Sequence, residues 1–336
     1  MDSNLLAEVR AWIEDDPDPQ TAAHLSALLD ADDELTLRKY FAGFLEFGTA
    51  GLRGPLGPGP SCMNQAVVGR TAAGLVKFMK ERLLTSVVIG RDARHGSEIF
   101  EKISAEIFSG AGFKVSVLPR PLPTPVLAFA VNELGADVGV MVTASHNPGI
   151  YNGFKIILER QIISKRYLEN LKVNIKANNF AKKVHGSLKH INVNLRYLEF
   201  IANKSQIKKS FKIVIDGGNS VSGPLAVALF QQLNCSVEAI FCDINGHFPH
   251  HEPNPSDEKN LTSLIAKVKQ SKADLGLAFD GDGDRVVVIS DTGEIIWPDR
   301  LMMIFVKALL VNKPGARVVF DIKSSMRLEQ LIVERG

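Results

Sequence analysis

Three aspartates alternate with two glycines in the segment DGDGDR, residues 280–285. In an extended segment every second side chain points to the same side, so Asp280, Asp282 and Asp284 can converge. Gly281 and Gly283 let the backbone bend tightly between them. Three carboxylates this close repel one another unless a cation lies between them, and their oxygen atoms suit Mg²⁺ or Ca²⁺. The segment therefore predicts a divalent-metal site, with an acidic surface turn as the alternative.

A second polar segment, TASHNP at residues 143–148, directly follows an apolar run that ends at Val142. Ser145 and His146 are adjacent, so their side chains face differently, and His146 is badly placed to act as the base of a hydrolase triad. The segment also lacks the G-x-S-x-G pattern of such enzymes. A serine that carries a phosphoryl group is a different possibility, since the three aspartates could hold a cation against its oxygen atoms. A polar cap before a turn explains Ser145 equally well from this stretch alone.

Two further stretches could act on an anion. Residues 48–54, GTAGLRG, offer exposed backbone N–H groups and the guanidinium of Arg53, which suit a phosphate. A glycine-rich turn without function is an equal alternative. Lys155 follows Ser145 by ten residues. A lysine near a phosphate and cations can lose its proton more easily and serve as a general acid or base, although a solvated surface lysine is the default.

Elements that could position these residues alternate along the chain. Strands are predicted at residues 86–90, 114–118, 137–142, 154–158, 211–216, 236–242, 273–279, 285–290 and 317–321. Helices are predicted at residues 64–83, 97–110, 123–134, 220–233, 258–269, 298–311 and 325–334. This alternation indicates an α/β fold of tandem repeated α/β domains with mixed, mainly parallel sheets. Chemistry is then expected at the carboxyl ends of strands, where TASHNP, DGGNS, DGDGDR and DIKSS begin.

Composition limits the class of protein. The 336 residues are 45% hydrophobic and 23% charged, with a net charge of +2, which is typical of two or three globular domains. Three scattered cysteines without a C-x-x-C pair predict neither a disulfide framework nor a zinc site, and favour a reducing compartment. The first residues do not resemble a secretory leader. The apolar run at 301–311 is interrupted by Lys307 and is shorter than the ~20 residues of a membrane span. We therefore expect a cytoplasmic protein without a membrane partner.

A basic stretch, residues 160–212, contains 13 lysines and arginines and two acidic residues. Binding of nucleic acid would require an ordered basic stripe with aromatic side chains placed to stack on bases. The aromatic residues here, Tyr167, Phe180, Tyr197 and Phe200, are scattered among asparagines. A solvated helical surface and linker is the better interpretation, and no nucleic-acid partner is predicted.

Together the motifs FGTAGLRG, GRDAR, PLPTPV, TASHNP with YNGFK, DGGN and DGDGDR resemble the α-D-phosphohexomutase family of phosphoglucomutases and phosphomannomutases. They follow the family's order over about residues 45–325. FGTAGLRG with the upstream DPDPQTA resembles the phosphoglucomutase/phosphopentomutase branch. The resemblance implies domain I at residues 1–195, domain II at 196–298 and an incomplete domain III at 299–336. Domain IV would be absent, so the chain would be truncated at its C-terminus.

The resemblance also implies a reaction. Phosphorylated Ser145 would donate its phosphoryl group to a glucose, mannose or pentose phosphate, and the resulting bisphosphate would turn around and return its other phosphate. The phosphate would thereby move between the 1- and 6-positions, or the 5-position of pentoses. The implied roles are Mg²⁺ binding by Ser145, Asp280, Asp282 and Asp284; catalysis by Ser145, Lys155 and His146; and substrate binding by Arg53, Arg285, Thr49 and Asn147. A sugar 1,6-bisphosphate would be the activator.

The implied truncation leaves two other functions open. Without the sugar-recognition loop of domain III and the phosphate grip of domain IV, remote binding energy is lost and we expect weak mutase turnover. Water could then attack the phosphoserine, as in a Mg²⁺-dependent sugar bisphosphate phosphatase. Alternatively, the chain could be a non-catalytic sugar-phosphate-binding fragment, which would bind metal without phosphorylation of Ser145. The missing loop also leaves the choice of sugar open.

Overall fold

The computed structural model describes residues 2–48, 51–158, 186–205 and 207–335. Three helices that were not predicted precede the first strand: α1 (Ser3–Asp15), α2 (Pro19–Asp30) and α3 (Glu34–Tyr40). Each begins after an aspartate whose carboxylate accepts a hydrogen bond from a free N–H of the first turn. These aspartates are Asp2, Asp18 and Asp33. The apolar faces of the three helices pack on the core of the first sheet.

The first sheet has seven strands in the order β1-β2-β6-β5-β3-β4-β7. The strands are β1 (Phe47–Gly48), β2 (Gly51–Pro55), β3 (Ser86–Arg91), β4 (Lys114–Val117), β5 (Val138–Val142), β6 (Tyr151–Leu158) and β7 (Ser187–His190). The helices that accompany it are α4 (Gln65–Glu81), α5 (Ser97–Gly110), α6 (Thr124–Leu134) and α7 (Asn194–Lys204). β3 is parallel to β5 and β4, and β4 to β7, whereas β6 is antiparallel to both its neighbours.

The second sheet has five strands in the order β12-β11-β10-β8-β9. They are β8 (Lys212–Asp216), β9 (Ser236–Ile240), β10 (Leu275–Phe279), β11 (Val286–Ser290) and β12 (Ile295–Ile296). Helix α8 (Ser222–Gln232), a 3₁₀ turn (Glu258–Leu261) and helix α9 (Thr262–Ser271) accompany it. β8 is parallel to β9 and β10, and β11 is antiparallel to β10 and β12. Two mixed sheets with flanking helices confirm the predicted α/β class. The predicted domain limits at 195 and 298 stay predictions.

The central strands are buried because helices cover both faces. All five residues of β5 are buried, and their side chains alternate between two cores. Val138, Val140 and Val142 face the core beside α4 and α5, and Met141 faces the core beside α6. Continuous apolar runs are the expected sequence of a strand covered on both faces. This burial fixes the carboxyl end of β5, from which the TASHNP loop begins.

The predicted strand at residues 317–321 is wrong. In the described part of the chain these residues have no strand pairing and follow helix α10 (Pro298–Asn312) as an irregular segment before α11 (Met326–Arg335). A β-branched run forms a strand only where a sheet edge satisfies its backbone groups. Val318 instead packs against the cluster that contains Val306, Leu310 and Leu328. None of the described helices has the length and apolar character that crossing a membrane requires.

Candidate active site

The loops that follow β5 and β10 meet between the two sheets. Oγ of Ser145 donates a hydrogen bond of 2.8 Å to Oδ2 of Asp280, which joins the two polar motifs directly. The backbones also approach closely, since a Cβ added at Gly281 would lie 2.2 Å from the carbonyl oxygen of Ser145. Glycine is therefore required at position 281 for the loops to meet.

Ser145 has a backbone conformation that is uncommon for a serine. Its φ is +55°, in the left-handed region, and its side chain is buried. Its N–H donates to Oγ1 of Thr143 at 2.8 Å, and the N–H of Asn147 donates to the carbonyl of Ala144 at 3.1 Å. Such a backbone persists only where the surrounding structure holds it, and it is often found at functional sites.

The three aspartates of the DGDGDR loop lie together. One oxygen of each carboxylate lies within 4.8 Å of the others. Asp280 and Asp282 are buried, whereas the side chain of Asp284 is 34% exposed. Among the described residues, Oδ1 of Asp282 is buried without a hydrogen-bond donor. A buried acceptor without a donor, beside two other carboxylates, fits an oxygen-ligated divalent cation such as Mg²⁺.

The pKa values of two of the carboxyl groups are shifted in opposite directions. Burial, together with the charges of Asp282 and Asp284, raises the pKa of Asp280 to about 7. Burial acts in the same direction on Asp282, but the charge and hydrogen bond of Lys155, together with hydrogen bonds from Thr124 and Ser145, outweigh it and lower the pKa of that carboxyl. Nζ of Lys155 donates to Oδ2 of Asp282 at 2.5 Å and to Oδ2 of Asp284 at 2.8 Å. The three carboxylates therefore repel one another within the loop, and the ammonium of Lys155 reduces this repulsion between Asp282 and Asp284.

The same contacts determine the protonation of Lys155. Burial lowers the pKa of its ammonium, but the charge and hydrogen bonds of Asp282 and Asp284 outweigh burial, so the pKa is raised. The neighbours of Lys155 in this arrangement are carboxylates, which favour its charged form. The expectation that Lys155 loses its proton more easily concerned a site with phosphate and cations, and it stays a prediction.

His146 lies on the other side of Ser145. Nη1 of Arg285 donates to Nδ1 of His146 at 2.8 Å, and the same nitrogen lies 3.4 Å from Oγ of Ser145. Burial lowers the pKa of the imidazole, and the positive charges of Arg285 and Arg53 lower it further. The ring is therefore neutral with Nδ1 as an acceptor. Oγ of Ser145 has its closer partner in Asp280, so His146 lines the site beside the hydroxyl.

Of the other predicted substrate-binding residues, two lie together at the site and one lies outside the described residues. Nη1 of Arg53, on β2, donates to Oδ1 of Asn147 at 3.3 Å, which brings these two predicted substrate-binding residues together beside the TASHNP loop. Thr49 lies outside the described residues. The histidines at 247, 250 and 251 contact separate partners: His95, Asn219 and Asp216.

Thr124 is a site residue that the sequence did not single out. Its N–H donates to the carbonyl of Asp282 at 2.8 Å, and its Oγ1 donates to Oδ2 of the same aspartate. It lies in the PLPTPV motif as the first residue of α6. Thr124 thus holds the backbone and the carboxylate of Asp282 at once. A threonine between two prolines at the start of a helix was the available signal.

We expect Gly281→Ala to lower the free energy of unfolding by about 1–3 kcal/mol, because the new Cβ must displace the carbonyl of Ser145. Urea unfolding measures this change. The matched control is Gly149→Ala at the same junction, where a Cβ would make only ordinary contacts at 3.4 Å or more. Equal stability of the two variants would show that the loops are not packed as closely as described.

Two family models match the chain. Phosphoglucomutase/phosphomannomutase, alpha/beta/alpha domain I, matches residues 45–182, and domain II of the same family matches residues 195–293. The two matches contain the TASHNP and DGDGDR loops and together cover more than half of the chain.

Named relatives agree with these models. A phosphomannomutase/phosphoglucomutase of Pseudomonas aeruginosa is 43% identical over 251 residues, 74% of this chain and 54% of that protein. A phosphoglucomutase of Neisseria meningitidis serogroup B is 41% identical over 76% of this chain and 56% of that protein. A crystal structure of a phosphoglucomutase/phosphomannomutase family protein from Burkholderia thailandensis matches with a TM-score of 0.80 and 34% identity, over 86% of this chain and 64% of that one. The chain spans about half the length of the curated relatives it matches.

Proposed function

We propose that this chain, which belongs to the α-D-phosphohexomutase family of phosphoglucomutases and phosphomannomutases, transfers a phosphoryl group between Ser145 and a sugar phosphate. The observation that carries the proposal is the 2.8 Å hydrogen bond from Oγ of Ser145 to Asp280, in a loop of three carboxylates. It places a hydroxyl nucleophile where charge neutralisation and positioning are both available, and these are the main requirements of phosphoryl transfer.

The contacts of the site support the following proposed step, which would phosphorylate the chain. Oγ of Ser145 attacks a phosphorus atom of a sugar bisphosphate, and the bond from that phosphorus to the sugar oxygen breaks. The serine proton passes along the existing hydrogen bond to Asp280. Lys155, held protonated by two carboxylates, donates a proton to the departing sugar oxygen. The reverse step on the other hydroxyl regenerates Ser145 and completes movement of the phosphate between the 1-position and the 6-position, or the 5-position of a pentose.

Other side chains would hold the substrate and the metal. We assign substrate binding to Arg285, Arg53, Asn147 and Thr49. We assign Mg²⁺ binding to Ser145, Asp280, Asp282 and Asp284, and a bound Mg²⁺ would neutralise negative charge on the transferring phosphoryl group. Glucose, mannose or pentose phosphate is the proposed substrate class, with a sugar 1,6-bisphosphate as the activator. The free cysteines, together with the proposed sugar-phosphate substrate, support a cytoplasmic location, which we also propose.

The test is the intact mass of the chain after incubation with Mg²⁺ and glucose 1,6-bisphosphate. We expect the wild type to gain one phosphoryl group and Ser145→Ala to gain none, because the nucleophile is absent. Ser116→Ala is the matched control, since Ser116 is also buried but lies on β4, away from the site. It should gain the group like the wild type.

The other outcomes separate the competing functions. A wild type that gains no phosphoryl group contradicts the transfer and favours a sugar-phosphate-binding fragment. Release of phosphate from the bisphosphate without interconversion of the sugar phosphates favours a phosphatase. Chromatography of the sugar products, combined with an assay for inorganic phosphate, distinguishes these results.

A further inference from the structure

We infer that Arg94 is a positioning residue for the nucleophile: its buried guanidinium fixes the backbone of residues 145–151, and the ring of Phe248 supports that guanidinium from the second sheet. This inference rests on the proposed function, since it assigns Arg94 a part in the transfer to Ser145. Arg94 itself does not touch Oγ of Ser145 and acts through the loop that carries it.

The guanidinium spans the whole loop. Nη2 of Arg94 donates to the carbonyl oxygens of Ser145 at 2.6 Å and Asn147 at 2.7 Å. Nη1 donates to the carbonyl oxygens of Pro148 at 2.7 Å and Tyr151 at 3.1 Å. Four carbonyls within seven residues therefore point at one side chain, which is fully buried. Only the bond to Ser145 is fully buried, and the carbonyl of Pro148 also accepts from the N–H of Tyr151, but one planar group donates to all four carbonyls.

An ion pair with Asp92 holds the guanidinium of Arg94 through charge, since Nε of Arg94 and Oδ2 of Asp92 have no hydrogen-bond partner among the described residues. This Nε lies 3.1 Å from Oδ2 of Asp92, and both side chains are buried. Oδ1 of Asp92 accepts from Oγ of Ser97 at 2.7 Å, and the N–H of Asp92 donates to the carbonyl of Val142 at 3.0 Å. Val142 is the last residue of β5, directly before the TASHNP loop. Arg94 is therefore anchored to the strand that leads into the loop it holds.

This anchoring explains the unusual backbone of Ser145. The carbonyl oxygen of Ser145 that Arg94 binds is the one that faces Gly281, and a Cβ at Gly281 would also lie 3.2 Å from Nη2 of Arg94. Holding this carbonyl fixes the peptide plane that follows Ser145 while φ stays at +55°. With the backbone held in this way, Oγ of Ser145 is directed towards Asp280. In a loop without these hydrogen bonds, the direction of Oγ would vary.

Phe248 connects the arrangement to the second sheet. Its ring centroid lies 4.9 Å from Cζ of Arg94, and the residue is buried in the segment that follows β9. The edges of the guanidinium thus bind the loop of the first sheet, while its face packs on an aromatic ring beyond the second sheet's β9. Arg94 is placed to hold Ser145 in register with the carboxylates of the DGDGDR loop.

Single-turnover phosphorylation of Ser145 by glucose 1,6-bisphosphate tests the inference in Arg94→Lys and Phe248→Leu. Lysine has one donor atom for four carbonyls, so we expect the maximal rate of Arg94→Lys to fall about a hundredfold. The half-saturating bisphosphate concentration and the Mg²⁺ dissociation constant should stay within about threefold, since the side chain of Arg94 is fully buried and is assigned to neither ligand. Phe248→Leu keeps every hydrogen bond of the guanidinium, and we expect its rate to fall about tenfold.

Two controls separate positioning from a purely structural effect. Arg70→Lys replaces a second arginine that is largely buried and lies over an aromatic ring, that of Trp12 at 4.4 Å, and this variant should keep the wild-type rate. Millimolar guanidinium should restore part of the rate to Arg94→Ala, because it can occupy the space of the missing group, and none to Ser145→Ala.

The possible failures are distinct. A wild type that is never phosphorylated overturns the proposed function and the inference together. A phosphorylated wild type with an unchanged rate in Arg94→Lys overturns the inference alone. A loss of Mg²⁺ affinity in proportion to the rate, without rescue by guanidinium, also overturns it, because Arg94 would then support the fold in general. If Arg94→Lys does not fold, the rate and Mg²⁺ affinity of Phe248→Leu decide between these results.

Discussion

Mg²⁺ affinity is expected to fall by at least about a hundredfold when Asp282 is replaced by asparagine. Asp282 is the central carboxylate of the cluster, is fully buried and keeps one oxygen without a donor among the described residues. Its other oxygen is held by Lys155 and Thr124, so the side chain cannot turn away from the cluster. Asparagine keeps the shape and one acceptor oxygen, but it removes the negative charge that attracts a divalent cation.

Calorimetric titration of the whole chain with MgCl₂ measures this effect without any reaction. Asp291→Asn is the matched control, since Asp291 is an exposed carboxylate in the turn that follows β11 and contacts Thr292 only locally. Asp284→Asn should give an intermediate loss because its carboxylate is partly exposed to water. Unchanged Mg²⁺ affinity in Asp282→Asn would contradict the assignment of the DGDGDR loop as the metal site, whether or not Ser145 can be phosphorylated.

The convergence of the aspartates could be predicted because it depends only on local geometry. The described carboxylates of Asp280, Asp282 and Asp284 do lie together. The loop is nevertheless a turn, closed by a hydrogen bond from the N–H of Gly283 to the carbonyl of Asp280, and not the extended segment assumed for the alternation. The contact between Ser145 and Asp280 joins loops of two different sheets, which no periodicity indicates. The residues alone offered their meeting as one possibility, the resemblance to a family implied it, and their roles stay predictions until the variants are measured.

Thr124 and Arg94 show what sequence patterns leave out. Thr124 acts on a residue 158 positions away, and Arg94 donates to backbone carbonyls, which every residue type has. Arg94 also pairs with Asp92 at the end of β3, a local contact between residues two positions apart. The four hydrogen bonds to the next loop were not predictable, because they depend on how two loops pack.

Burial explains which elements were predicted. The buried central strands β3, β5, β8 and β10 were found from continuous apolar runs. The edge strands β1, β7 and β12 were missed, since β1 and β12 have two residues each and β7 is exposed throughout. The run at 317–321 has the composition of a buried strand, but no described sheet edge receives it. Composition indicates whether a segment is buried. Whether that segment forms a strand depends on the neighbouring strands that are available to pair with it.

Stability should depend on pH through a buried glutamate outside the active site. Glu101 lies on α5, and its Oε2 accepts a hydrogen bond of 3.2 Å from Nε of Arg91. Its Oε1 is buried without a hydrogen-bond donor among the described residues. Burial raises the pKa of Glu101 from 4.5 to about 7, although Arg91 opposes the shift. Between these values the unfolded chain has released the proton and the folded chain retains it, so the free energy of unfolding falls as pH rises from 4.5 to about 7.

Replacing Glu101 by glutamine should therefore stabilise the chain at pH 8 and change little at pH 5. The full shift corresponds to about 3 kcal/mol, and loss of the ion pair with Arg91 reduces the expected gain to about 1–3 kcal/mol. Urea unfolding at the two pH values measures it. Glu98→Gln is the matched control, because Glu98 is 86% exposed on the same helix and lies 3.8 Å from the same arginine. A Glu101→Gln variant that is equally destabilised at both pH values would show that the carboxylate is ionised and stabilising, and that the ion pair outweighs the cost of its burial.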